Sequence, residues 1–118
     1  MSDPEDCVFC RIIRHEIPAR EVQRDADVVA FHDLNPQAPT HILVVPTMHA
    51  DHLSEFNAKA SSELKSKLFA AAADIGGRFQ RDGQGYRIVI NEGSDGGQTV
   101  GHLHLHVLAG RHLTWPPG

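Results

Sequence analysis

The stretch "VGHLHLHVLAG", residues 100–110, sets histidines at 102, 104 and 106 with leucines between them. A period of two is the signature of a β-strand, where alternate side chains share a face roughly 6.6 Å apart along the chain. Leu103, Leu105 and Val107 are therefore expected to face a core, and His102, His104 and His106 to share the other face. Three imidazoles in register are a poor accident for a solvated surface. Two chemistries suit them. Neutral imidazoles two apart on a strand can both ligate zinc. Alternatively, one is a nucleophile and its neighbours bind charge and move protons, because a reference pKa near ~6.5 keeps both protonation states accessible at neutral pH.

The segment that enters this strand is "NEGSDGGQT", residues 91–99. Its glycines permit close backbone approach, and successive N–H groups in such a turn can form an anion nest. Thr99 adds a hydroxyl and Asn91 an amide. A glycine-rich hairpin loop alone is weak evidence of function. Beside three histidines it reads as a phosphate cradle adjoining a nucleophile.

The rest of the chain supplies a frame for that strand. "CVFCRIIRHEIP" has the apolar spacing of a short helix stopped before Pro18. "REVQRD" and "DVVAFHDL" read as a hairpin, "HILVVP" as a short, nearly all-apolar strand, and "YRIVIN" as another strand. "TMHADHLSEFN" is a connection with room for one helical turn. Over residues 59–81, Leu64, Leu68, Ala72, Ile75 and Phe79 recur at three and four residues and form one apolar stripe, weakened near its end by Gly76 and Gly77. The expected architecture is α+β: a five-stranded, mainly antiparallel sheet with one long and one short helix. The 118 residues suit a single domain, its first six residues expected to be disordered.

Composition narrows the function. The net charge of −4 disfavours non-specific nucleic-acid binding, though local dipoles still allow a phosphate ligand. No apolar run approaches the roughly 20 residues of a membrane span. The start, "MSDPEDCVFC", lacks the basic-then-apolar pattern of a signal peptide, so a cytoplasmic location is expected. Two cysteines two residues apart in such a chain point to metal or redox chemistry rather than a structural disulfide. The thioredoxin-like order, with a strand before the cysteines, is not available, since only six residues precede Cys7. "CVFC", "MHADH" and the histidine strand together offer Cys7, Cys10, His49 or His52, and His102 as two thiolates and two imidazoles for a closed tetrahedral zinc site.

"HLHLHVL" matches in full the His-x-His-x-His pattern of the histidine triad (HIT) family. "FHDLNPQAPTHILVVP", "NEGSDGGQT" and the ending "WPPG" resemble its Hint-like, purine nucleoside phosphoramidase branch, over nearly the whole chain from Cys7. The resemblance implies cleavage of nucleoside 5'-phosphoramidates, such as adenosine 5'-monophosphoramidate, at the α-phosphorus. His104 would attack, forming a nucleotidyl-histidine that water then hydrolyses. By the same resemblance, His106 holds the phosphate oxygens with Asn91, Gly97, Gln98 and Thr99. Asp33 receives the ribose hydroxyls. Phe31, His32 and Leu34, with Val8, Phe9 and Ile12, wall the base. His41 orients the triad, and zinc is structural, held by Cys7, Cys10, His49 and His102. On this reading His102 leaves the shared face, which requires a twist or bulge at its end of the strand. A homodimer is implied, with the tail through Trp115 reaching the neighbouring site. Thr99 stands where close relatives carry serine, and Gly101 where a bulky residue is common; both bear on leaving-group preference.

Two other function classes compete. A metal-dependent hydrolase would use the His and Cys residues as catalytic ligands, and needs a glutamate as general base; the H-x-E…P-C-x-x-C order of zinc deaminases is absent from the sequence. A non-catalytic purine-nucleotide-binding adaptor would bind without turnover.

Overall fold

The protein is described by a computed structural model over residues 4–118; the expectation of disorder for residues 1–3 lies outside the described residues. Residues 4–6 form turns that lead into the first helix. In chain order the elements are α1 (Val8–Ile13), β1 (Glu21–Arg24), β2 (Val28–His32), β3 (Thr40–Pro46), α2 (Leu53–Lys59), α3 (Ser62–Phe79), β4 (Tyr86–Ile90) and β5 (Leu105–Ala109). The five strands form one sheet in the order β1-β2-β3-β5-β4, and every pairing is antiparallel.

The central strands are apolar on both faces because both faces are covered. Val28 and Ala30 of β2, Ile42 and Val44 of β3, and Leu105 and Val107 of β5 pack under α3, against Leu68, Ala72 and Ile75. Leu64 and Phe79 extend the same stripe. The alternate residues, Val29, Phe31, Leu43 and Val45, face the other way and pack with Phe9, Ile12 and both cysteines from α1 and its N-cap. Leu103 is buried in the α3-side core as its spacing predicts, although it lies before β5 begins.

The helical pattern over residues 59–81 is the single helix α3, which begins at Ser62. α2 ends at Lys59 with Ala60 as its C-cap, and Ser61 caps α3 by accepting the Leu64 N–H at 3.1 Å. α2 itself is a second short helix beyond the one in "CVFC", capped by His52, whose Nδ1 accepts the Glu55 N–H at 3.2 Å. Among the described residues, no helix is long and apolar enough to cross a membrane.

The two glycines near the end of α3 differ in purpose. A Cβ on Gly76 would lie 2.3–2.5 Å from ring atoms of Tyr86, so glycine lets α3 sit directly on β4. A Cβ on Gly77 would meet nothing within 4 Å. Gly76→Ala should therefore destabilise the fold by about 1–3 kcal/mol through overpacking. Gly77→Ala should stabilise it by up to about 1 kcal/mol through helix propensity. Thermal unfolding of the two variants checks the contrast; equal shifts of the same sign would contradict it.

Candidate functional site

The histidine stretch divides at its middle. β5 starts only at Leu105, and Gly101 and His102 lie in a bend before it. The expectation of one strand carrying all three histidines on one face thus fails at its first members. Leu103 N–H donates to the Ala50 carbonyl at 2.8 Å, which turns the chain away from the sheet ladder there. His102 goes to one cluster, and His104 and His106 go to another.

In the first cluster, ligand atoms of Cys7, Cys10, His49 and His102 all lie within 4.8 Å of one another. Each imidazole has its proton placed by a partner on its far side. His102 Nε2–H donates to the Pro46 carbonyl at 2.9 Å, and His49 Nε2–H donates to Asp51 Oδ1 at 2.8 Å. Both Nδ1 atoms are therefore bare, and they face each other at 3.2 Å. Cys10 Sγ lies 3.2 Å from His49 Nδ1 and 3.5 Å from His102 Nδ1, and Cys7 Sγ lies 3.4 Å from His102 Nδ1. Bonds of about 2.0–2.1 Å to nitrogen and about 2.3 Å to sulfur imply donor–donor edges of about 3.3–3.8 Å in a tetrahedral zinc centre. Two opposed lone pairs between two buried thiols suit a cation, and two sulfurs with two imidazoles are the donor set for zinc. Burial pushes the Cys10 thiol up to about 12, with the neighbouring Cys7 adding to the effect. A bound cation reverses that balance and favours the thiolate. His52, the other candidate, instead caps α2.

In the second cluster a chain of hydrogen bonds fixes every tautomer. Gln37 N–H donates to His41 Nδ1 at 3.0 Å, so His41 carries its proton on Nε2. That Nε2–H donates to His106 Nδ1 at 2.9 Å, and Asp33 Oδ2 stands 3.4 Å from the same nitrogen. Neutral His106 therefore carries its proton on Nε2. His104 Nδ1–H donates to the main-chain carbonyl of His102 at 2.8 Å, which leaves Nε2 as its lone pair. Burial, the largest cause in each case, holds His41 and His104 below the usual imidazole range and His106 down at about 4. At neutral pH these are uncharged rings, which suits a nucleophile and a hydrogen-bond donor.

His104 and His106 line a cleft of about 330 Å³. Its lining also includes the apolar Val8, Phe9, Ile12, Phe31 and Leu43, together with Asp33 and Thr99. Phe9 packs edge-on against Phe31 at 5.4 Å and against His104 at 5.1 Å. Ile17, Pro18, Ala19 and Val100 also line the cleft, and neither they nor Leu43 are among the site residues expected from the sequence. Leu43 pairs directly with His106 across β3 and β5.

His32 and Leu34 both line the cleft, as expected of base-wall residues. The His32 ring also packs edge-on against Phe79 of α3 at 6.5 Å, and Leu34 is 98% exposed. In the loop, Asn91 Nδ2 donates to the Gly96 carbonyl at 2.6 Å. Gln98 Nε2 donates to the Asp51 and Val100 carbonyls at 2.6 and 2.9 Å, while its Oε1 accepts the Gly93 N–H. The N–H groups of Gly97 and Gln98 donate to Ser94 and Gly93 within the loop. Asn91, Gly97 and Gln98 therefore brace the loop, and Thr99 is the member of the set that lines the cleft. Trp115, in the tail, is 80% exposed and is not among the residues that line this cleft.

Comparison with known proteins agrees with this geometry. Residues 14–113 match the family model for the HIT domain. An uncharacterized HIT-like protein of Synechocystis is 46% identical, over 97% of this chain and 98% of its own length. A 14 kDa zinc-binding protein of Zea mays is 43% identical, over 98% of this chain and 91% of its own. Among solved structures, a HIT family hydrolase from Legionella pneumophila superposes with a TM-score of 0.88 at 44% identity, covering 95% of this chain and 99% of that one. A histidine triad protein from Clostridium difficile gives 0.86 at 43% identity, covering 96% and 97%.

The buried neutral histidines make stability depend on acid. His106 takes a proton at about 4 when folded but at its ordinary 6.5 when unfolded. Between those values the unfolded state binds more protons, so stability rises with pH and falls on acidification through that window. Urea midpoints measured from pH 7 to pH 4 should fall, and fall less steeply in His106→Gln. Parallel pH curves for the two proteins would contradict the assignment.

Proposed function

This chain belongs to the HIT domain family, and on that premise we propose that it is a nucleotide hydrolase that cleaves purine nucleoside 5'-phosphoramidates at the α-phosphorus, with zinc as a structural partner. The observation that carries the reading is the bare Nε2 of His104, a residue that lines the cleft, its other nitrogen committed to the His102 carbonyl. The chemistry of the lining supports a nucleoside monophosphate unit: apolar side chains for the base, the Asp33 carboxylate for ribose hydroxyls, imidazoles for the phosphate.

His104 Nε2 attacks the α-phosphorus as the phosphorus–nitrogen bond to the leaving group breaks. The departing amine takes a proton, for which His106 Nε2–H is the placed donor. His41 Nε2–H, donated to His106 Nδ1, steadies the electron-rich ring that His106 becomes on losing that proton, while the balancing positive charge lies on the nucleotidylated His104 ring, whose Nδ1–H stays on the His102 carbonyl and which Asp33 favours. Water next attacks the phosphorus of the nucleotidyl-histidine; the bond to Nε2 breaks, the relay takes up the water's proton, and the nucleoside monophosphate leaves. Thr99 stands ready to donate its hydroxyl to a phosphate oxygen. Zinc held by Cys7, Cys10, His49 and His102 supplies a cross-link between the N-terminal segment and the sheet, so that metal binding contributes folding free energy.

We also place a homodimer in this reading. β4 is an edge strand, and Phe69 of α3 and Tyr86 of β4 remain 49% and 39% exposed. An open edge beside apolar side chains suits an isologous contact. Light scattering should give twice the 13.0 kDa chain mass; the monomer mass at micromolar concentration would contradict it.

His104→Ala should lower turnover of adenosine 5'-monophosphoramidate by far more than a hundredfold while changing AMP affinity by less than about tenfold, since the nucleophile acts in the chemical step and the cleft wall supplies ground-state binding. Turnover within tenfold of the unmodified protein would refute the nucleophile. AMP binding with no turnover by either protein would favour an adaptor.

A further inference from the structure

We propose that the zinc centre and the nucleotide cleft are one thermodynamic unit, in which the residues that hold zinc also position the cleft, so that zinc and nucleotide each tighten the binding of the other. The proposal rests on the zinc and nucleotide assignments above and goes beyond a metal that only staples the N-terminus.

Three separate connections carry it. The first runs through α1. Cys7 caps this helix by accepting the Cys10 N–H at 3.3 Å, and the two residues between them, Val8 and Phe9, line the cleft. A six-residue helix is far too short to hold itself, so its ligands set its place. Phe9 touches both clusters at once, packing edge-on against His102 at 6.0 Å and His104 at 5.1 Å. The second runs through His102, whose ring faces the zinc donors while its carbonyl accepts His104 Nδ1–H at 2.8 Å. The third runs through His49. Its Nε2–H is held by Asp51, and the Asp51 carbonyl accepts Gln98 Nε2–H at 2.6 Å. Gln98 braces the loop that carries Thr99 and Val100 into the cleft.

A base wall, the nucleophile's tautomer and the loop are thus each one or two contacts from a zinc donor. Ordering the donors around zinc orders the cleft, and a nucleotide seated in the cleft orders the donors. Linkage requires the two effects to be equal in size.

The test uses the full-length protein. Zinc affinity is measured by competition with a chromophoric chelator, with and without saturating AMP, and AMP affinity is measured calorimetrically on zinc-loaded and metal-free protein. The expected result is that AMP raises zinc affinity at least fivefold and that zinc raises AMP affinity by the same factor. Zinc and AMP that both bind, with factors within twofold of one, would overturn the coupling and leave the functional reading intact. Failure of either zinc or AMP to bind would overturn that reading and the coupling with it. Should the metal-free protein unfold, cobalt(II)-loaded protein replaces it: AMP is expected to shift the visible ligand-field bands, and unchanged bands at saturating AMP would overturn the proposal. Phe9→Ala, which keeps all four donors, is expected to reduce the factor or the band shift by at least half; an unchanged effect would overturn the α1 connection on which the proposal leans most.

Discussion

One hydrogen bond organises the reactive part of this molecule: His104 Nδ1–H to the main-chain carbonyl of His102. It costs His104 its freedom to choose a tautomer and fixes the lone pair on Nε2. It also needs the chain at His102 to leave the sheet ladder, because a carbonyl engaged in regular pairing is not free to accept a side chain. The bend at 101–102 supplies that departure, and the same bend turns the His102 ring toward Cys7, Cys10 and His49. A local break in a strand thereby serves both clusters.

The surrounding electrostatics follow from burial. Three imidazoles stand close together, His104 and His106 with ring centres 4.9 Å apart and His41 and His106 at 5.2 Å. Charging any of them in this setting is costly, and their protonation is pushed down by burial first and by neighbouring imidazoles second in the case of His106. Asp33 opposes that trend at all three. The carboxylate suited to a ribose thus also favours positive charge on His104, the charge that appears on that ring when its Nε2 bonds to phosphorus.

Much of this was legible in the sequence, for identifiable reasons. The alternation in "HLHLHVL" located β5 and its core-facing residues, because Leu103, Leu105 and Val107 had only one apolar side to occupy. The spacing of Leu68, Ala72 and Ile75 located α3. The four zinc donors lie in two short motifs and the triad, so composition and spacing narrowed them to His49 or His52. Other features were hidden by competition between local and tertiary forces. The sequence leaves room for one helical turn at α2, whereas the His52 cap supports a helix of seven residues. His32 lines the cleft beside Phe31 as expected, whereas its ring contact with Phe79 depends on the packing of α3, which is remote in sequence. Asn91 and Gln98 are polar residues in a glycine-rich loop, and sequence alone does not distinguish an amide that holds a ligand from one that holds the loop.

The central claim is that neutral His104 forms a covalent bond to phosphorus through Nε2. Rapid acid- or base-quenched mass spectrometry of the protein mixed with adenosine 5'-monophosphoramidate tests it directly. The account predicts one adenylyl group per active chain during turnover, on the peptide containing residues 102–106 and assigned by fragmentation to His104. An adduct on His106 or His102, or steady turnover with no adduct at quench times shorter than one catalytic cycle, would contradict it.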